Sequence, residues 1–409
     1  MSDPSSISRT RQLTLLTALY AAQGLPYGFF SLALPVLLRE AGWSLTSIGF
    51  LQLLALPWAL KFLWAPLLDH HGTRRGWLLG LQCAACLAAL LMSQLALAPG
   101  NVALFVAVFA FNLIAATQDV VTDGLAVRQL DASERGLANG IQVGAYRLGM
   151  ILGGGLLLWV FARTDWRVMF LCMAGLLALT IVPVLGMREP PRQMPAAVPS
   201  GRTLALAWLH RAMTPGLLAF AGLIVCFRFG DQMVSSMITP FLSDQGLGKE
   251  TIALMKGAVG SGTSLLGAVI GGWLTFRAGR RQAMLISGLL QAAGFGLYVA
   301  AALGMGDVRL LWAATIVEGL VGTMASVALF TLMMDASDPQ YAGTDYTLLA
   351  SVVVVVGSLG GLAAGLVGDA LGYAPTFIIG TVLSTLGCVF LVWWLDRHPP
   401  HERVAQAWR

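Results

Sequence analysis

Long apolar runs without clustered charge recur from end to end of this chain, and that pattern restricts it to one environment. Six lie near 14–38, 47–67, 77–97, 102–124, 137–161 and 166–187, and six more near 214–242, 250–276, 282–304, 309–334, 346–368 and 374–395. A bilayer core about 30 Å thick takes roughly 20 helical residues at about 1.5 Å each, so each run is long enough to cross. Composition agrees: 57% of the 409 residues are hydrophobic and 11% are charged, against about 25% charged in an average soluble protein. A soluble globule is excluded. The net charge of +5 comes from 25 Lys+Arg and 20 Asp+Glu, with only three lysines, Lys61, Lys249 and Lys256. The arginines are spread along the chain rather than gathered in a tract, so no nucleic-acid partner is expected.

The polar start Met1–Arg11 leads into an apolar run without a cleavage signature, which reads as a retained first span. The segment Arg188–Arg211, with four arginines, Pro190-Pro191, Pro195 and Pro199, is the long polar interruption. The expected organisation is a six-helix half over 1–187, a linker over 188–213, a second six-helix half over 214–395 and a tail over 396–409. Asp131-Ala132-Ser133 returns as Asp335-Ala336-Ser337, Gly136 with Gly153-Gly154 as Gly343 with Gly360-Gly361, Arg74-Arg75 as Arg280-Arg281, and Pro35 near Gly42 as Pro240 near Gly246. Four matches in one order point to two pseudo-symmetric halves. With the N-terminus inside, most arginines beside loops, including those of the linker and tail, fall on the cytoplasmic side. Arg39, Arg163, Arg167, Lys249 and Arg309 fall outside. Both termini are therefore expected in the cytoplasm. Parallel six-span halves joined by a cytoplasmic linker describe the major facilitator fold, an all-α membrane protein of twelve transmembrane helices.

Charges inside spans are costly and mark function by default. Here they are Lys61, Asp119, Asp123, Arg147, Arg228, Asp231, Lys256 and Glu318. Asn112, Asp119 and Asp123 fall at i, i+7 and i+11 and share one helix face. Asp119 sits roughly 9 Å and Arg147 roughly 17 Å from the cytoplasmic helix ends at 1.5 Å per residue, so the two can pair, for transport or only for packing. Arg228 and Asp231, at i and i+3, can satisfy each other. Glu318 has no basic residue within a turn, which suits a group that takes up and releases a proton. The histidines fall in loops or the tail, leaving proton coupling to carboxylates.

The loop Asp69-His-His-Gly-Thr-Arg74-Arg75 suits a cytoplasmic gate, or a topological anchor. Gly24-Leu-Pro-Tyr-Gly28 should bend the first span and expose backbone, with Tyr27, Phe29, Phe30 and Trp58 nearby to stack on a planar ligand or to pack. Glycines 136, 140 and 144, and again 149 and 153, make small helix faces. Cys83-Ala-Ala-Cys86 lacks a second ligand pair and reads as packing. Gly248-Lys249 is followed by Glu250 rather than Ser or Thr, so there is no ATP-binding loop, and no enzyme active site is expected.

Three segments resemble the AmpG branch of muropeptide permeases: Lys61-Phe-Leu-Trp-Ala-Pro-Leu-Leu-Asp69 with Arg74-Arg75-Gly-Trp-Leu-Leu79, Gln118-Asp119-Val-Val-Thr-Asp123, and Glu134-Arg135-Gly136 with Tyr146-Arg147-Leu-Gly-Met150. The Gln-Asp-x-x-x-Asp pattern is also similar to that of acetyl-CoA transporters. The shorter length, and Gln23-Gly-Leu-Pro-Tyr-Gly-Phe-Phe30 with Leu34-Pro-Val-Leu-Leu-Arg39, look more like siderophore importers of the RhtX and FptX type. This resemblance implies a monomeric secondary transporter of the bacterial inner membrane, importing a ferric siderophore with protons by alternating access and needing no cofactor. A muropeptide permease is the first alternative, followed by a drug or siderophore exporter and a non-transporting sensor. Tyr27, Gln118, Tyr146, Arg147 and Arg228 would contact substrate, and Asp119, Asp123, Asp231 and Glu318 would carry protons. Lys61, Asp69, Arg74, Arg75, Glu134 and Arg135 would gate.

Overall fold

The computed structural model describes residues 9–34, 37–38, 54, 56–95, 102–129, 135–187, 210–398 and 402–408. The Pro35–Gly42 repeat, Glu134, the Asp131-Ala-Ser segment and nearly all of the linker lie outside the described residues. The described chain is all-α, with no strand.

In chain order the α-helices are α1 (Arg9–Gly28), α2 (Leu56–Leu60), α3 (Ala65–His70), α4 (Arg74–Met92), α5 (Val102–Gln129), α6 (Arg135–Ile151), α7 (Leu157–Arg163) and α8 (Trp166–Leu185). They continue as α9 (Pro215–Asp244), α10 (Lys249–Ile252), α11 (Gly260–Ala302), α12 (Val308–Ala336), α13 (Ala342–Leu371), α14 (Tyr373–Arg397) and α15 (Glu402–Trp408). Among the described residues nine helices are long and apolar enough to cross a membrane. One of these, 254–302, is twice the needed length and breaks at Gly279, whose φ of 80° only glycine adopts readily. The break falls between the predicted runs 250–276 and 282–304 and beside Arg280-Arg281, so the sequence folds back where its charges require water.

Local chemistry sets the helix starts. The side chain of Thr73 accepts the Gly76 N–H at 3.1 Å, and that of Asp165 accepts the Val168 N–H at 2.8 Å, each occupying a donor the helix leaves open. Thr214 precedes Pro215, which suits a first helical position where the missing N–H costs nothing. Pro26 lies inside α1, which passes directly into a π-helical turn, Phe29–Ala33; a second π turn, Leu152–Leu156, joins α6 to α7.

The chain divides into two compact units. One comprises 1–129, 145–205 and 339–347; the other comprises 130–144, 206–338 and 348–409. In the first, Phe29, Phe30, Met169, Phe170 and Met173 form a buried cluster, with the Phe29 and Phe170 rings 5.0 Å apart and nearly perpendicular. In the second, Val234, Phe241, Phe295, Tyr298 and Phe377 play that part. Many large apolar side chains, among them Leu87, Val106, Leu179, Val269 and Leu362, remain exposed. In water such a surface would aggregate, whereas lipid solvates it at no cost.

Candidate substrate site

The first unit gathers the charged face of α5. Asn112, Gln118, Asp119, Thr122 and Asp123 are all buried, and each finds a partner supplied by another element or by its own helix. Lys61, on the 3-10 turn Lys61–Leu63, places Nζ against Asp119 Oδ2. Tyr20 donates its hydroxyl to Asp123 Oδ1 at 3.0 Å, and Gln23 donates to Thr122 Oγ1 at 2.9 Å, so α1 covers the rest of the face. Gln118 Nε2 reaches the Leu19 carbonyl at 3.5 Å. Lipid would leave these groups unpaired at several kcal/mol each, which is why the face is buried in protein.

An aromatic cluster borders the charge pair. The Tyr27 ring lies 5.4 Å from Trp58, 5.8 Å from Tyr146 and 6.4 Å from Phe30. Trp58 is fixed by its indole N–H, which donates to Asn112 Oδ1 at 3.0 Å, and it has Lys61 Nζ 5.8 Å from its ring centre. The geometry that holds Tyr27 beside Tyr146 comes from glycine. A Cβ on Gly24 would stand 2.2 Å from the Tyr146 carbonyl oxygen, and one on Gly28 2.3 Å from that of Met150. From the other helix, a Cβ on Gly149 would meet the Ala21 carbonyl oxygen at 2.3 Å and one on Gly153 that of Leu25 at 1.9 Å. Two small-xxx-small faces interlock, carrying one tyrosine each.

Two expected pairings are corrected. Asp119 pairs with Lys61 and not with Arg147, which is half-buried and forms no ion pair among the described residues. Lys61, expected at the gate, thus lies with Trp58 and Asp119. In the second unit Glu318 is not unpaired: Lys256, on the π-helical segment Ala253–Val259, holds it at 3.0 Å. Its partner stands 62 residues away, beyond any reading of helical spacing.

The second unit also satisfies Asp231. Arg228 Nη1 lies 2.5 Å from Oδ2, while Gln291 Nε2 donates to Oδ1 at 2.5 Å and Ser235 at 3.4 Å. The sequence pointed to Arg228 and Asp231; Gln291 carried no signal, because a glutamine in an apolar run is ordinary.

At the loop ends, Asp69 accepts from Arg74 at 2.8 Å and from the Thr344 N–H and hydroxyl at 2.7 and 2.9 Å, with Arg128 at 3.7 Å, all within the first unit. Arg75 instead donates to the Leu185 carbonyl at 3.0 Å. In the second unit Asp335, fully buried, accepts from Arg135 at 2.8 Å and Arg280 at 2.9 Å. The internal repeat had marked Asp335 and Arg280, without showing that they meet. The cysteines are free, with Cys83 exposed and Cys86 half-buried, and the described residues contain no cluster fit for a metal ion.

The model of the Major Facilitator Superfamily matches residues 16–357 and 220–409. The chain is also 30% identical over 397 residues to the anhydromuropeptide permease of Escherichia coli K12, covering 92% of this chain and 78% of that protein. The chain belongs to the Major Facilitator Superfamily, in its AmpG-like branch. It is a multi-pass membrane transporter and not an enzyme. Solved members of the superfamily share the fold. The transporter FucP of E. coli superposes with a TM-score of 0.73 at 14% identity, over 93% of this chain and 98% of its own. The human organic anion transporter MFSD10 superposes with a TM-score of 0.73 at 17% identity, over 95% of this chain and all of its own.

Proposed function

We propose that this transporter is an inner-membrane permease that carries anhydromuropeptide into the cytoplasm by alternating access, with both termini on the cytoplasmic side. The observation that carries the reading is the likeness to the E. coli permease over 92% of the chain, joined to a site of matching chemistry. An amino-sugar ring presents an apolar C–H face, which suits the Tyr27–Trp58–Tyr146 cluster. The peptide stem carries carboxylates, which suit the guanidinium of Arg147, without an ion pair among the described residues and able to hold a carboxylate with two parallel hydrogen bonds. The expectation of a siderophore gives way to this reading, because a relative 30% identical over 92% of the chain is an anhydromuropeptide permease. Proton drive is part of the proposal, carried by Asp119, whose partner Lys61 lies over Trp58, and by Asp123 one turn along the same helix, and a monomer is the working unit.

The test is uptake of labelled N-acetylglucosaminyl-anhydromuramyl peptide into spheroplasts lacking their own permease. Expression of this protein should restore uptake, and a protonophore should abolish it. Tyr27→Ala and Trp58→Ala should each reduce uptake at low substrate about tenfold, the equivalent of about 1.4 kcal/mol. Uptake of a ferric siderophore but not of the muropeptide would overturn the substrate assignment, and uptake indifferent to the protonophore would overturn the coupling.

A further inference from the structure

Within the second unit, α9 and α14 cross at glycine. A Cβ on Gly387 would stand 2.0 Å from the Cys226 carbonyl oxygen, and one on Gly230 2.3 Å from the Ser384 nitrogen. Beside this crossing runs an open groove of about 800 Å³, whose walls include Val225, Phe229, Leu386, Phe390 and Trp393. Pockets for small molecules are apolar with a few convergent polar groups; no charged or amide side chain lines this groove. One of its walls is Trp393. There the guanidinium of Arg397 lies 4.5 Å from the centre of the Trp393 ring.

Arg397 also lines a second, polar cavity of about 300 Å³, together with Arg281, Gln282, Asp396 and Trp408. Arg281 is already neutralised by Asp396 through two hydrogen bonds of 2.8 and 2.9 Å, and Asp396 further accepts the Trp408 indole N–H at 2.9 Å. Arg397 is exposed, and with Arg281 it sets two positive charges against the one carboxylate of Asp396 among the residues lining the cavity. The stack of Arg397 on Trp393 thus joins an apolar groove to a cationic cavity. The cavity lies at the Gly279 break, where Arg277, Arg280 and Arg281 gather on the membrane side that arginine distribution marks as cytoplasmic.

We infer that this paired groove and cavity is a binding site for one anionic phospholipid of the cytoplasmic leaflet. Its acyl chain lies along Val225, Phe229 and Phe390, and its phosphate sits at Arg397. Basic pockets between transmembrane helices on this side suit anionic head groups, and an indole at the water boundary seats the glycerol region between the two. The tail helix α15 closes the head-group cavity: Val404 and Trp408 are buried in the unit, and Trp408 forms its wall. The site belongs to the second unit and the Tyr27–Trp58–Tyr146 cluster to the first, and the inference does not depend on which substrate is carried.

Native mass spectrometry of the detergent-purified protein with phosphatidylglycerol, phosphatidylcholine or oleate added tests the inference. The unaltered protein should retain one phosphatidylglycerol about ten times more tightly than phosphatidylcholine. Arg397→Gln should remove that preference while leaving phosphatidylcholine binding unchanged, and Val225→Trp, which fills the groove, should weaken both phospholipids. Equal retention of the two phospholipids by the unaltered protein would reduce the groove to ordinary lipid contact and overturn the site. Oleate held as tightly as phosphatidylglycerol would assign it to a free fatty acid, which also overturns it. The comparison on the unaltered protein needs no substitution and decides the question even where a variant fails to fold.

Discussion

Lys61→Met is expected to abolish uptake and to lower stability by about 3–5 kcal/mol, the range seen when one member of a buried ion pair is removed. The size follows from burial: the Lys61 and Asp119 side chains are 6% and 11% exposed, so the carboxylate left behind has little water to turn to. Asp123 lies one turn further along the same helix and adds a like charge nearby. The double variant Lys61→Met with Asp119→Leu separates packing from transport. Removing both charges leaves no carboxylate stranded at position 119, and Asp123 keeps the Tyr20 hydroxyl, so thermal unfolding in detergent should recover most of the loss. Uptake should stay abolished. A double variant that transports normally would show that the pair only holds the helices together; a single variant with unchanged melting would show that the pair is not buried.

Adding one methyl group at Gly153 is the second large effect. The obstacle is the Leu25 carbonyl oxygen, 1.9 Å from the new Cβ, and backbone cannot rotate aside as a side chain can. Gly153→Ala should therefore cost about 1–3 kcal/mol or more by overpacking. It should also depress uptake, because the same crossing carries Tyr27 and Tyr146. Gly155 supplies the control two residues away, where a Cβ would meet nothing within 4 Å. In a helix, Ala is better than Gly by about 1 kcal/mol, so Gly155→Ala should be neutral or stabilising. Circular-dichroism melts of the two variants, read beside their uptake rates, check both claims; equal melting of Gly153→Ala and Gly155→Ala would refute the interlock.

The glycine faces show how far a linear reading goes. Gly149 and Gly153 were visible as a small face, and Gly24 and Gly28 as a bend around Pro26. Nothing in the spacing told that each is the other's partner, because a small face can receive any helix. Trp58 was readable only as one of several aromatics; its hydrogen bond to Asn112, 54 residues away, selects it for the site.

The sequence by itself determined the environment, the helices and their ends. Bilayer thickness demands apolar runs of a certain length, backbone must be satisfied within each run, and charges and helix-ending residues mark where water begins. It also determined the short list of charges inside spans. Only the tertiary structure decided how those charges pair: Lys61 with Asp119 instead of Arg147, and Lys256 with Glu318. In a membrane the face toward lipid is as apolar as the face toward the core, so periodicity does not report how each helix is rotated, and the choice among partners passes to packing.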